Sequence, residues 1–168
     1  AEMYENLRLI RNHGMANRDE IAVWGHNSRL PTIQAIVGNR LIEQASGITE
    51  KRIANAERYD EALEDLSEYV RFPERQPNVK QVYHTYVLRA VDRDKLLTSL
   101  LESGIEAKVH YPIPLHLQTA AKELGYKQGD FPVCEADCDS IITLPVHQHL
   151  SADQVDFVAD TIRKFYLR

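Results

Sequence analysis

Cysteine is scarce in this chain: Cys134 and Cys138 are the only two in 168 residues. Two are too few for a disulfide framework of the secreted kind, so the expected setting is reducing and cytoplasmic. Their spacing of four puts them on one helical face, where they read as small apolar fillers. Long apolar runs are missing as well. No uncharged stretch approaches the ~20 residues needed to span a bilayer, and the first residues have neither the basic nor the apolar region of a signal peptide. Basic excess is missing: 20 Lys and Arg against 25 Asp and Glu give a net charge of −5, which argues against a phosphate-neutralising nucleic-acid surface. The seven glycines are scattered, so neither a Walker loop nor a dinucleotide fingerprint can be drawn, and no Gly-x-Ser-x-Gly elbow occurs. There is no internal repeat and no low-complexity tract.

What is there is ordinary globular material, 43% hydrophobic and 27% charged, in a length that suits one domain. Met3, Leu7 and Ile10 recur at helical spacing, and Gly14 stands where a helix would stop. Pro31 opens a second helical pattern, with Ile33, Ile36, Val37 and Leu41 on one stripe. The stripe resumes through Ile53, Ala56, Tyr59 and Leu63, interrupted at Gly47, so one long kinked helix or two in series are expected. Residues 71–80, with two prolines, read as a connector.

Val82–Leu88 is rich in β-branched and aromatic residues and predicts a strand. Leu96, Leu97, Leu100 and Leu101 predict a helix ended by Gly104. Ile105, Ala107 and Val109 alternate like a second strand. Short helices are expected at Leu117–Leu124 and Pro132–Asp139, and a third strand at Ile141–Leu144. Ser151 and Gln154 form a capping box, with Leu150 and Val155 placed as a hydrophobic staple, before a terminal helix carrying Val155, Val158, Ile162 and Phe165. Three short strands among several helices define an α+β fold, an α/β sandwich with helices covering one sheet.

Two polar loops are the candidate sites. His26-Asn27-Ser28-Arg29 brings an amide, a hydroxyl and a guanidinium close to the start of a helix, a set suited to phosphate or carboxylate. The plainer alternative is an N-cap by Asn27 or Ser28 with Arg29 in solvent. His110-Tyr111-Pro112-Ile113-Pro114-Leu115-His116 places two imidazoles and a phenol in irregular backbone of the kind that lines clefts. The alternative there is packing of Tyr111 on the prolines, with the histidines bonding to turn backbone. Tyr83 and Tyr86 are expected to pack the sheet, and Trp24 to be a plug or an interface residue. His147 and His149, with the two cysteines, match no familiar zinc spacing, so no metal is expected.

Seven collinear pieces of the chain resemble the DegT/DnrJ/StrS family of sugar aminotransferases. They are Leu7-Arg8-Leu9-Ile10-Arg11-Asn12-His13-Gly14, Gly25-His26-Asn27-Ser28-Arg29-Leu30, Tyr83-His84-Thr85-Tyr86-Val87-Leu88, Arg93-Asp94-Lys95-Leu96, the stretch from Gly104 to Gln118, Phe131-Pro132-Val133-Cys134-Glu135-Ala136, and Leu144-Pro145-Val146-His147. Each piece alone is weak, and their order makes the likeness specific. The resemblance implies the C-terminal part of a fold-type I enzyme that uses pyridoxal phosphate. Residues 1–30 would be a remnant of the large domain, 31–70 the long linking helix or helix pair, and 71–168 the small C-terminal domain.

It also implies roles. Asn27 is similar to a residue that reaches the phosphate of the neighbouring subunit's cofactor. Arg29, His110, Tyr111 and His116 are similar to substrate-facing positions. The expected partners are a nucleotide-linked keto sugar, in the 3-keto branch, an amino acid donor, a second copy of the chain as a homodimer, and the missing N-terminal large domain. The Schiff-base lysine of the family lies upstream of the Arg11-Asn12-His13-Gly14 segment and is absent here. Lys51, Lys80, Lys95 and Lys108 match no cofactor motif. The chain therefore has no catalytic residue of its own and is expected to be inactive alone. The rival expectations are a non-catalytic binding or dimerisation module of the same fold, and an unrelated metal protein built on the Cys and His residues.

Overall fold

Pro31 and the turn after Ile42 delimit a helix with no buried residue, in a computed structural model that describes residues 2–167. The chain divides into two compact units, Ala1–Ala45 and Ser46–Arg168. The division falls inside the segment expected as the linking helix.

In the first unit, α1 (Glu2–Ile10) leads into a loop that closes back on the end of the helix. The His26 N–H donates to Ile10 O at 2.7 Å, Ser28 N–H to Arg11 O at 2.9 Å, and His13 N–H to His26 O at 2.9 Å. Gly14 is in the left-handed region, with φ +73°, and its own N–H reaches Leu9 O at 2.7 Å. α2 (Thr32–Ile42) follows, with Pro31 as its N-cap in extended geometry and no side-chain cap. The capping alternative for Asn27 and Ser28 is thereby corrected: neither closes the helix N-terminus.

The helical stretch is two helices in series, α2 and α3 (Ala45–Ala62), and the break is not at Gly47. It comes at 43–44, where Gln44 N–H turns back to Leu41 O at 2.9 Å in a tightened last turn. Gly47 lies inside α3 with open space around it, where a glycine costs only about 1 kcal/mol of helix propensity.

The second unit holds a three-stranded antiparallel sheet in the order β1 (Val70–Arg71), β2 (Tyr86–Ala90), β3 (Ile141–Leu144). Tyr86 pairs with Leu144 and Leu88 with Ile142. The inward residues of β2 alternate, Tyr86, Leu88 and Ala90 being buried. They share one core with Tyr59 of α3 and Leu63 just after it, with Leu96 and Leu100 of α4 (Arg93–Glu102), and with Val155, Val158 and Ile162 of α6 (Ala152–Tyr166). On the opposite face Arg89 of β2 bonds Asp137 of α5 (Pro132–Ser140) at 2.5 Å. The architecture is α+β, with helices on both faces of the small sheet. The capping box is present as expected: Gln154 N–H donates to Ser151 Oγ at 3.3 Å and Ser151 N–H to Gln154 Oε1 at 2.9 Å.

The number of strands agrees with the expectation, but their membership differs. The alternating segment Ile105–Val109 is not a strand. Ala107 N–H folds back to Ile105 O at 2.9 Å, and only Lys108 bridges β3, through Thr143. The strand expected from Val82 starts four residues later, because Arg52 of α3 takes the carbonyls of Tyr83 and His84 at 2.9 and 3.1 Å. The third member, Val70–Arg71, comes from the edge of the supposed connector. The short helix expected at Leu117–Leu124 is a pair of 3-10 segments, Leu115–Leu117 and Thr119–Leu124. Of the two cysteines only Cys138 is buried. Cys134 is exposed, so the filler reading holds for one of them.

Candidate functional site

Each unit presents one of the polar loops. In the first, Gly14 and Gly25 let two backbone stretches meet at a distance no side chain allows. A Cβ on Gly14 would lie 1.6 Å from Val23 O, and one on Gly25 would lie 2.4 Å from Gly14 N and 2.6 Å from Ile10 O. This contact aligns Asn12 with Asn27 as an antiparallel pair. Arg29 then ties them together: its Nε donates to Asn27 Oδ1 at 3.1 Å and its Nη1 to Asn12 Oδ1 at 3.1 Å. A guanidinium only donates, so the atom of each amide that faces it is the oxygen. The Asn27 nitrogen is left pointing elsewhere as a donor, with no acceptor among the described residues, on an exposed side chain. An amide N–H and a guanidinium are both donors, and a phosphate oxygen is an acceptor suited to either.

In the second unit the backbone hydrogen bonds between Lys108 and Thr143 hold the start of the other loop against β3. The His110 Nδ1 lies 3.0 Å from Thr143 Oγ1, which fixes the ring orientation. Tyr111 stands edge-on to that ring, with centroids 5.5 Å apart, and is 67% exposed. His110 lines two depressions. One, of about 510 Å³, also carries Arg52, His84, Lys108 and His147. The other, of about 810 Å³, is an apolar groove with Tyr111, Ile113, Phe131 and Val133 on its walls.

His116 is placed differently from its neighbours. Its side chain is 7% exposed and its Nε2 lies 3.0 Å from Glu135 Oε1. Phe131 covers the ring at 4.7 Å. Glu135 also accepts from Gly129 N–H at 2.8 Å and Phe131 N–H at 3.3 Å. Desolvation works against the charged carboxylate. The backbone donors and His116 outweigh it and hold the Glu135 carboxyl below its ordinary range. His116 thus braces the turn from behind, while His110 and Tyr111 present their rings.

The sequence reading did not single out Asn12 or Glu135 as site residues. Both lie within strings quoted for the family resemblance, but no spacing rule connects Asn12 to Arg29 or Glu135 to His116. Trp24 is 94% exposed in the first unit, and Tyr83 and Tyr86 are buried as expected. Among the described residues no group of three or more His, Cys, Asp or Glu side chains comes together as a metal site. No helix among them is long and apolar enough to cross a membrane.

The fold is that of solved structures of sugar aminotransferases. Residues 1–163 match the family model of the DegT/DnrJ/EryC1/StrS aminotransferases, and the chain belongs to that family. It is 36% identical over 166 residues to the pleiotropic regulatory protein of Geobacillus stearothermophilus, covering 98% of this chain and 45% of that one. It is 30% identical over 164 residues to the dTDP-3-amino-3,4,6-trideoxy-alpha-D-glucose transaminase of Streptomyces venezuelae, covering 98% and 43%. The crystal structure of S. venezuelae DesV superposes with a TM-score of 0.93 at 30% identity, over 99% of this chain and 45% of that one. The chain therefore spans somewhat under half the length of these relatives.

Proposed function

We propose that this chain is the C-terminal part of a pyridoxal-phosphate-dependent aminotransferase acting on a nucleotide-linked keto sugar, with an amino acid as donor. The observation that carries the reading is the exposed Asn27 amide, whose oxygen is held by Arg29, which leaves its nitrogen to donate to an anion. The cofactor supplies the electron sink for amino transfer. Asn27 takes its phosphate, on the neighbouring subunit. By resemblance Arg29 in the first unit and, taken separately, His110 and Tyr111 in the second are substrate-facing, and His116 keeps the second loop in place through Glu135. Amination at the 3-position is supported by the resemblance of the His110–His116 string and by the name of the Streptomyces relative, a 3-amino-sugar transaminase.

The lysine that such chemistry requires has no counterpart here. Lys95 bonds Asp92 and Lys108 bonds Glu106, both at the surface of the second unit. By the same reading the chain alone is inactive and depends on the large domain for the covalent step, because the resemblance places the Schiff-base lysine upstream of Arg11-Asn12-His13-Gly14. The homodimer reading is supported by α2, where Ile33, Ile36, Val37 and Leu41 are all at least half exposed. Two free thiols suit a reducing, cytoplasmic setting.

Cofactor retention tests the reading. In the full-length polypeptide Asn27→Ala is expected to release pyridoxal phosphate about tenfold more readily, the effect of one charge-assisted hydrogen bond. Unchanged retention overturns the assignment of Asn27. With the chain alone, added pyridoxal phosphate and glutamate should give no amino transfer and no absorbance of lysine-bound cofactor. Stoichiometric formation of that band overturns the inactivity.

A further inference from the structure

We infer that Asn12 is a positioning residue for the anion-binding amide of Asn27, acting through Arg29. The inference rests on the reading of Asn27 as a phosphate contact and adds the residue that sets its orientation. An asparagine amide rotates easily by half a turn, and the two orientations offer an anion either a donor or a repelling oxygen. Arg29 decides between them, because its Nε bonds Asn27 Oδ1 and turns the nitrogen away from the guanidinium. Arg29 is itself an exposed, flexible side chain with several rotatable bonds. One bond to Asn27 does not fix it. The second bond, from Nη1 to Asn12 Oδ1, holds the other edge of the planar guanidinium.

Asn12 can do this because it is itself held. It is half-buried at the end of α1 and directly opposite Asn27 in the backbone pairing, with Ser28 N–H on Arg11 O beside it. Residues paired this way put their side chains on the same side, within reach of one another. Arg29 bridges the two amide oxygens. The result is a relay of three side chains in which the last, Asn27, shows only its donor.

The test compares Asn12→Ala, Asn12→Leu and Asn12→Asp in the full-length polypeptide, reading pyridoxal phosphate release by dialysis and the unfolding midpoint of each variant. Alanine and leucine remove the acceptor, and leucine keeps the size. Aspartate restores an oxygen for Arg29. The expected result is about three- to tenfold faster release for alanine and leucine, the cost of leaving the Asn27 and Arg29 side chains free before binding. Aspartate should retain cofactor near the wild-type level, at an unchanged unfolding midpoint. Should alanine lower the midpoint, the leucine and aspartate pair decides. Wild-type retention in both acceptor-free variants, with Asn27→Ala still defective, overturns the role of Asn12 and leaves that of Asn27. Wild-type retention in Asn27→Ala overturns both. Loss of cofactor in Asn12→Asp equal to that in Asn12→Leu also overturns the inference, since the lesion would then be structural.

Discussion

The Tyr86 hydroxyl donates a 2.6 Å hydrogen bond to Asp60 Oδ1, joining the central strand to α3 at the edge of the core. Arg75 closes the group, donating to the same carboxylate at 2.9 Å and lying over the Tyr83 ring at 5.2 Å from its centroid. Burial, then the bond to Asp60, push the Tyr86 phenol well above its ordinary range, so it stays a donor at any working pH. Tyr86→Phe keeps the ring and removes the donor. The expected loss is about 1.5–3 kcal/mol, the value of a hydrogen bond to a charged group. Urea unfolding with an unchanged m-value checks it. A loss below 0.5 kcal/mol on the order of measurement error would mean that Arg75 alone satisfies Asp60.

The close approach of Gly25 to Gly14 and Ile10 makes a second prediction. Backbone, not flexible side chain, stands 2.4 and 2.6 Å from the added Cβ, so Gly25→Ala must force the loop apart. The His26 and Ser28 amides, which bond Ile10 and Arg11, should lose hydrogen-exchange protection. Leu88, in the middle of the sheet, serves as the unaffected reference. In the full-length polypeptide the same variant should release cofactor faster, because Asn27 and Arg29 ride on that loop. Retained protection of both amides contradicts the clamp.

Local signals in the sequence carried well, and signals that depend on distant partners did not. Ser151 and Gln154 announce the start of α6 because the two bonds of a capping box close within four residues. Gly104 ends α4 with φ +77° for a reason equally local. Val70–Arg71 was missed because a two-residue strand owes its conformation to β2, not to its own composition. Ile105–Val109 alternates like a strand, but the Ala107 amide is consumed by Ile105 and the edge of β3 accepts only one residue of it. At the site, Asn27 and Arg29 stand two apart and were readable as a pair. Asn12 is seventeen residues from Arg29, and only folding brings them together. His116 looked like its exposed neighbour Tyr111 because no pattern marks Glu135 as its partner.

Acid should weaken the second unit. Bonds from Arg58 to Asp156 and from Arg163 to Asp65 hold those two carboxyls below their ordinary range, and Glu135 is held low by backbone donors and His116 against its desolvation. A carboxyl whose folded value is depressed binds protons first in the unfolded chain. Its contribution is complete above the ordinary carboxylate range and is lost as pH falls through the folded value. The unfolding midpoint is therefore expected to be flat near neutrality and to fall below the ordinary carboxylate range. Glu135→Gln should lower the midpoint at neutral pH and make the acid decline shallower. An acid decline as steep as wild type in Glu135→Gln would remove Glu135 from the account.

The exposed stripe of α2 makes the last prediction. Ile33, Val37 and Leu41 stand four residues apart on one face, 72%, 53% and 50% exposed, and no residue of the helix is buried. Leu30 and Ile36, at 68% and 64%, widen the patch. Burying such surface against a second copy gains roughly 25 cal/mol for each Å² removed from water, opposed by the entropy of association. The chain is therefore expected to self-associate, with a weight-average mass in light scattering that rises with concentration. Ile33→Glu with Val37→Glu places two like charges one turn apart on that face and should return the chain to monomer. The unfolding midpoint of the second unit should stay unchanged, because neither residue belongs to its core. A wild-type chain that remains monomeric at every concentration argues against α2 as the contact between copies. Association that persists in the double variant moves that contact to another surface, such as the apolar groove beside Tyr111.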